Sequence, residues 1–370
     1  MVIQRSLRHV IRAASILLLL VGCVSPAGGP GPASPTVGVT TVASPPAATL
    51  TAVPAEKADE EGLSAEEVAT LGSLEKVDDY PLYTMHYHGA YWAAAPAGEG
   101  VGWLADATSP ACSLFVALGD PDHMLYGRNF DWRYSPAVLL FTDPPDGYAS
   151  VSMVDITYLG FGGAKAGTLT DLPLVERSAL LRAPSLPFDG MNEHGLAVGM
   201  AAVPESDMPR EPGRDNIGSL GIIREMLDHA RDVDEAVSLL QSYNIQWTGG
   251  PALHYLVADA SGRAVLVEFY QGEMIVMPNE APWHLATNFL RTVAGETAKG
   301  RCWRYDMIFG RLTGAEGRII ARDAMALLEG VSQEGTQWSV IYRMSTGEVN
   351  VSMGRQYGNV HTFHLSLAGE

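Results

Sequence analysis

Cys112-Ser113-Leu114-Phe115-Val116-Ala117-Leu118, the turn Gly119-Asp120-Pro121-Asp122, and the return Met124-Leu125-Tyr126-Gly127-Arg128-Asn129-Phe130 followed by Asp131 and Trp132 form the stretch on which the fold turns. Two apolar runs flank a Gly-Asp-Pro-Asp turn, which predicts a β-hairpin with Cys112 at the start of its first strand. The return strand then brings Arg128 and Asp131 back beside that start, so a thiol, a guanidinium and a carboxylate become neighbours. Such a trio has a chemical use if Cys112 is the first residue of a mature chain. An α-amine has an ordinary pKa of about 7.7–8, close enough to working pH to take the thiol proton. Asp131 would hold the resulting ammonium, and Arg128 would favour the thiolate by proximity.

Outward from the hairpin, strands are expected at Tyr83 to Trp92, Ala149 to Tyr158, Gly195 to Ala202, Tyr255 to Ala258, Ala264 to Tyr270, Glu273 to Met277, Trp338 to Met344, Val349 to Met353 and His361 to Leu367. Helices are expected from Ser64 towards Leu74, where Ser64 and Glu67 read as a capping box, and at Gly218 to Ala230, Val233 to Tyr243 with Asp232 as cap, and Ala321 to Leu328. Runs of strands with helices grouped between them predict an α+β fold of layered antiparallel sheet.

The N-terminal end reads differently. Arg5, Arg8 and Arg12 precede an apolar run from Ala13 to Val21, and Leu20-Val21-Gly22-Cys23 follows. This is the pattern of an export signal over 1–22, with an ending that resembles the lipobox of bacterial lipoproteins, in which Cys23 takes a lipid. Residues 23–61 are mostly Pro, Ala, Gly, Thr and Ser, a composition that cannot bury enough apolar surface to offset chain entropy, and read as a flexible tether. The expected organisation is then a pro-segment or small subunit over 62–111 and a catalytic domain over 112–370. Localisation at the bacterial cell envelope, with the membrane as partner through Cys23, follows from the same reading.

The 24 Lys and Arg against 42 Asp and Glu give a net charge of −18, which argues against nucleic acid as a partner. Three cysteines are too few for a disulfide framework, although one bridge between Cys112 and Cys302 is open to an exported chain. His86 and His88 alternate on one strand face without a carboxylate or cysteine at ligand spacing, so no metal is called for. The aromatic residues near the hairpin, Phe130, Trp132, Tyr134, Phe161 and Phe289, fit either an acyl pocket or a core, with Trp132 and Phe289 the stronger pocket candidates.

From Cys112 onward the chain resembles the choloylglycine hydrolase and penicillin V acylase family of N-terminal-nucleophile hydrolases, with an upstream segment similar to that of the acid ceramidase-like and isopenicillin acyltransferase-like relatives. The resemblance rests on Cys112 with Gly127-Arg128-Asn129-Phe130-Asp131, then Asp189-Gly190-Met191-Asn192-Glu193-His194-Gly195-Leu196, Leu253-His254-Tyr255 with Val267-Glu268, and Ala286-Thr287-Asn288. It implies a four-layer αββα sandwich and a catalytic set of Cys112, Arg128, Asp131, Asn288 and Arg304. Asn288 would donate to the oxyanion, and Arg304 would tie the cysteine and aspartate region together. Where bile-salt hydrolases carry a second asparagine and penicillin acylases a tyrosine, this chain reads Met200-Ala201-Ala202-Val203. The second donor would then be a backbone amide, that of residue 113 or of one near 201, with Ala202 at the pocket wall. By the same resemblance the chain would cut itself between Ala111 and Cys112 and hydrolyse a linear, non-peptide amide of a small N-acyl compound, without cofactor or metal. Acyl transfer to an amine, and an inactive solute-binding lipoprotein, are the rival readings; a homo-oligomer is compatible with all of them.

Overall fold

The computed structural model describes residues 62–91, 111–204, 206, 208–247 and 250–369. The export-signal, lipidation and tether readings over 1–61 lie outside the described residues, as does Trp92. Two large sheets dominate. The first has nine strands in the order β1 (Glu75–Asp78), β2 (Leu82–Tyr87), β5 (Ala137–Thr142), β6 (Ser150–Asp155), β7 (Asp189–Asn192), β8 (Ala197–Val203), β11 (Ala252–Ala258), β12 (Ala264–Tyr270) and β13 (Glu273–Pro278). The second has six, in the order β14 (Trp283–Ala286), β3 (Ser113–Ala117), β4 (Leu125–Asp131), β15 (Thr336–Arg343), β16 (Glu348–Met353) and β17 (His361–His364). A short parallel pair, β9 (Asp215–Gly218) with β10 (Tyr243–Gln246), stands apart.

The sheets pack face to face, with helices on both outer faces. α1 (Ala65–Gly72) begins on the expected capping box, in which the Ser64 side chain accepts from the Glu67 amide and the Glu67 carboxylate accepts from the Ser64 amide. α2 (Gly221–His229) lies against β7 and β8, and α3 (Val233–Ser242), capped by Asp232, against β11. On the far side, after the single turn α4 (Arg291–Ala294), α5 (Trp303–Gly314) covers β14 and β3, and α6 (Ala321–Gly330) covers β4 and β15. This is the four-layer αββα sandwich.

Because both faces of β3 are covered, that strand is apolar on both sides after Ser113 rather than alternating with polar residues. In β3, Leu114 and Val116 enter the core between the sheets, whereas Phe115 and Ala117 enter the one beneath α5 and α6. The sheets approach closely at Gly199, where a Cβ would lie 2.8 Å from Tyr126 Oη and 3.2 Å from Leu114 Cδ2.

Several expectations are corrected. The strand at Tyr83 to Trp92 is Leu82–Tyr87, and the last strand ends at His364 rather than Leu367. β2 pairs with β5 in parallel, because the chain between them makes the β3–β4 hairpin in the other sheet. The helix expected from Gly218 starts at Gly221, since Asp215–Gly218 pairs with β10 instead. Neither Ala137–Thr142 nor Trp303–Gly314 had been anticipated as an element.

Candidate active site

Strand register brings the candidate residues to one end of the six-stranded sheet. Leu114 pairs with Arg128 in β4 and with Ala286 in β14, while Arg128 pairs with Val340 and Asp131 with Thr336 in β15. Two residues further along, Cys112, Phe130 and Asn288 fall level at the same edge. Arg304 enters from the first turn of α5, buried despite its charge.

Cys112 is buried and its thiol is free, so the Cys112–Cys302 bridge that composition allows is not formed. Arg128 directs Nη2 to Cys112 Sγ at 3.7 Å. Its Nη1 donates to Asp189 Oδ2 at 2.6 Å and to the Phe188 carbonyl. Asp189 is saturated further by Tyr342 Oη at 2.5 Å and Trp338 Nε1 at 3.3 Å. Arg128 therefore draws its main counter-charge from the nine-stranded sheet. Burial pushes the Cys112 thiol up and Asp131 adds to this, against the pull of Arg128, so the thiol is protonated while the chain is uncut. The expectation that Arg128 favours the thiolate holds in direction but is outweighed by desolvation.

Asp131 receives Gln333 Nε2 at 2.7 Å on Oδ2 and the Thr336 hydroxyl on Oδ1, with Arg304 Nη1 at 3.9 Å. Burial raises its carboxyl to about 6 in spite of these donors. Arg304 donates through Nη1 to the Cys112 carbonyl and to Ser113 Oγ at 2.8 Å, and through Nη2 to Asn288 Oδ1 at 2.9 Å. With its oxygen held by a cation, Asn288 must present its nitrogen elsewhere, and Nδ2 donates to the Ala202 carbonyl at 2.8 Å. One of the two N–H groups on Nδ2 remains available to another acceptor. Cys112, Arg128, Asp131, Asn288 and Arg304 are thus joined in one network, and Ala202 touches it through its backbone.

The aromatic candidates separate. Trp132 is buried beside the network, its backbone carbonyl accepting from Gln337 Nε2 at 3.0 Å. Phe289 instead packs edge-on against Tyr305 at 5.2 Å in the core beneath the outer helices, which gives it a packing role there. Phe130 stacks on Trp338 at 4.0 Å, inside the core between the sheets, and Tyr134 is exposed.

Sequence reasoning did not foresee the contacts made by four contributors, Asp189, Glu268, Gln333 and Thr336. The run from Asp189 to Leu196 read as structural support for the site, and Asp189 at its head is the counter-ion of Arg128. Asn192 in the same run does cap the bend, accepting from the amides of His194 and Leu196 at 3.1 Å each. Glu268, hydrogen-bonded to His254 Nδ1 at 3.2 Å, accepts the amides of Arg291 and Thr292 at 2.7 and 2.8 Å and fixes the turn that follows Asn288. Gln333 and Thr336 had no signal at all.

Comparison with known proteins places the fold. The family model for acyl-coenzyme A:6-aminopenicillanic acid acyl-transferase matches residues 187–293. A penicillin V acylase of Pectobacterium atrosepticum is 26% identical over 190 residues, which cover 47% of this chain and 48% of that protein. The matched stretch spans about half the length of that relative. Among solved structures, a mutant of the conjugated bile acid hydrolase of Clostridium perfringens superposes with a TM-score of 0.50 at 16% identity, covering 69% of this chain and 92% of that one. Penicillin V acylase from Agrobacterium tumefaciens gives a TM-score of 0.47 at 17% identity, covering 69% and 86%. The fold is that of the N-terminal-nucleophile hydrolases. Within that class the chain is similar to the penicillin V acylases, the conjugated bile acid hydrolases and the acyl-coenzyme A:6-aminopenicillanic acid acyl-transferases.

Proposed function

We propose that this chain is an amide hydrolase whose nucleophile is Cys112, freed by self-cleavage of the Ala111–Cys112 bond. The observation that carries the reading is the convergence of a free buried thiol with Arg128, Asp131, Asn288 and Arg304 at one sheet edge. In the mature enzyme the Cys112 thiol passes its proton to its own α-amine and attacks the substrate carbonyl. The tetrahedral oxyanion is met by Asn288 Nδ2, whose orientation Arg304 fixes by holding Oδ1, together with a backbone amide. Collapse expels the amine with the proton from the α-ammonium, leaving a thioester. Water adds to the thioester, and the acid and the thiol are released.

The substrate class is a linear, non-peptide amide of an N-acyl compound, supported by the relatives named above. A second reading, acyl transfer in which an amine replaces water, is supported by the match to an acyl-transferase model. The protein is further proposed to be exported and lipid-anchored at Cys23, on the strength of Leu20-Val21-Gly22-Cys23 behind an arginine-flanked apolar run.

The test is an intact-mass spectrum of the protein beside its Cys112→Ala variant. Wild type should yield two fragments meeting at Ala111–Cys112 and the variant a single chain, with amide turnover in the variant down at least about 10³-fold, as for the loss of other covalent nucleophiles. One uncut chain in both samples refutes the self-activating mechanism. Adding an amine acceptor to the thioester-forming enzyme separates hydrolysis from transfer by product mass.

A further inference from the structure

Gln333 lies in the turn between α6 and β15 and has no part in the turnover chemistry above. Its backbone is fixed by a closed ring: Gln333 N donates to Thr336 Oγ1 at 2.8 Å, and Thr336 N donates to the Gln333 carbonyl at 3.0 Å. Gly335 in the same turn lies against the Trp132 backbone, where an added Cβ would come 3.1 Å from the Trp132 carbonyl oxygen. The side-chain amide therefore extends from a fixed base. Its nitrogen has two N–H groups. One goes to Asp131 Oδ2 at 2.7 Å, the other to the carbonyl oxygen of Ala111 at 3.2 Å. That oxygen belongs to the bond that self-cleavage would break. The peptide units on either side of it are held as well, with Ala111 N donating to the Asp131 carbonyl at 3.2 Å and Arg304 donating to the Cys112 carbonyl.

We propose that Gln333 is the oxyanion donor for self-cleavage, a role separate from that of Asn288 towards the external substrate. The inference rests on the self-activating reading above and deepens it. Two donors are needed because the two carbonyls cannot occupy one place. When Cys112 Sγ attacks the carbonyl carbon of Ala111, sulfur, carbonyl carbon, nitrogen, Cα and Cβ close a five-membered ring, and the oxyanion is tethered to the peptide on the N-terminal side of Cys112. An external substrate has no such tether and meets Asn288, whose amide nitrogen points to Ala202.

The S–C bond forms as the thiol proton passes to Asp131, and that proton moves on to the Cys112 nitrogen as the C–N bond breaks. Water then cleaves the thioester, leaving the Ala111 carboxylate, the restored thiol and a protonated α-amine on Cys112. Gln333 stabilises the negative oxygen in both additions.

Cell-free translation of the full chain gives a zero time from which cleavage can be followed by gel and mass spectrometry. Gln333→Leu removes the donor, and Gln333→Glu replaces it with an isosteric acceptor. Each should cleave about 10²-fold more slowly than wild type, the usual cost of one oxyanion donor. The deficit of Gln333→Glu should shrink as pH falls into the carboxyl's own range, because a protonated carboxyl donates a hydrogen bond again; that of Gln333→Leu should stay constant. A packing role alone would not separate the two variants by pH. If Leu at this position prevents folding, as a thermal melt would show, the Glu variant decides. Wild-type cleavage rates in a folded variant, or equal deficits at every pH, overturn the role of Gln333. An uncut wild-type chain overturns the self-activating reading itself, and this inference with it.

Discussion

Two buried carboxylates of the site have different partners, although burial raises both. Asp189 faces a guanidinium and two neutral donors inside the core, an arrangement that holds Arg128 in place. Asp131 has its cation 3.9 Å away, and burial lifts it to about 6. A carboxyl raised in the folded chain adds stability that is complete below the ordinary carboxylate range and is lost as pH rises through about 6. The anion that can accept the thiol proton exists only above that value. Self-cleavage should therefore fall as pH drops below about 6, while the melting temperature does not fall from this group in the same window. In the cleaved enzyme the thiol proton goes instead to the Cys112 α-amine, whose ordinary pKa is about 7.7–8, so the acid limb of turnover should lie higher than that of cleavage. Comparing the two pH profiles checks this, and identical acid limbs would refute it. Cys112, Arg128 and Asp131 were legible in sequence because they share a hairpin, whereas Asn288 and Arg304 entered only through family resemblance. The Asp189 run was legible as support for the site, but its pairing with Arg128 was not, since that partner lies 61 residues away in another sheet and Asp-Gly is ordinary turn vocabulary.

The hairpin itself was the most legible element, because a proline-containing turn between two apolar runs has few other readings. Its glycine was quoted without a reason, and the structure supplies one. A Cβ on Gly127 would lie 2.5 Å from Phe115 Cζ and 3.0 Å from Ile341 Cδ1, so the Phe115 ring rests directly on the backbone of β4. Gly127→Ala must displace that ring, which overpacks the core beneath α5 and should cost about 1–3 kcal/mol. Since Arg128 is the next residue, the same substitution should slow cleavage as well as lower the denaturation midpoint. Chemical denaturation with unchanged m-value and a shifted midpoint checks the stability arm; an unshifted midpoint means the ring is not confined. α5 was missed for a related reason. Its inward face includes Arg304 beside Tyr305, Ile308 and Leu312, and a buried arginine breaks the apolar period by which amphipathic helices are found. The buried charge hides the folding signal at that position.

At the scale of the whole molecule, residues 62–91 of the segment upstream of Cys112 are part of the sandwich. β2 extends the nine-stranded sheet by pairing along Leu82 to Tyr87 with Ala137 to Thr142. Val68, Leu71, Leu74, Leu82, Tyr83 and Met85 are buried in the core, and Tyr83 Oη donates to the Ala166 carbonyl at 2.7 Å. The segment also reaches the other sheet, where Asp78 pairs with His361 Nε2 at 2.6 Å and Tyr80 Oη donates to Gln337 at 2.6 Å. At about 1.5–3 kcal/mol for each large buried side chain, the apolar contacts alone hold the segment by on the order of 10 kcal/mol before the cost of association is subtracted. Breaking one peptide bond at Ala111 removes none of these contacts. The two fragments of the cleaved protein should therefore co-elute in size-exclusion chromatography at micromolar concentration and separate only in denaturant. Separation in plain buffer would mean that the upstream segment is a disposable pro-piece, and the bare edge of β5 left behind should then drive self-association.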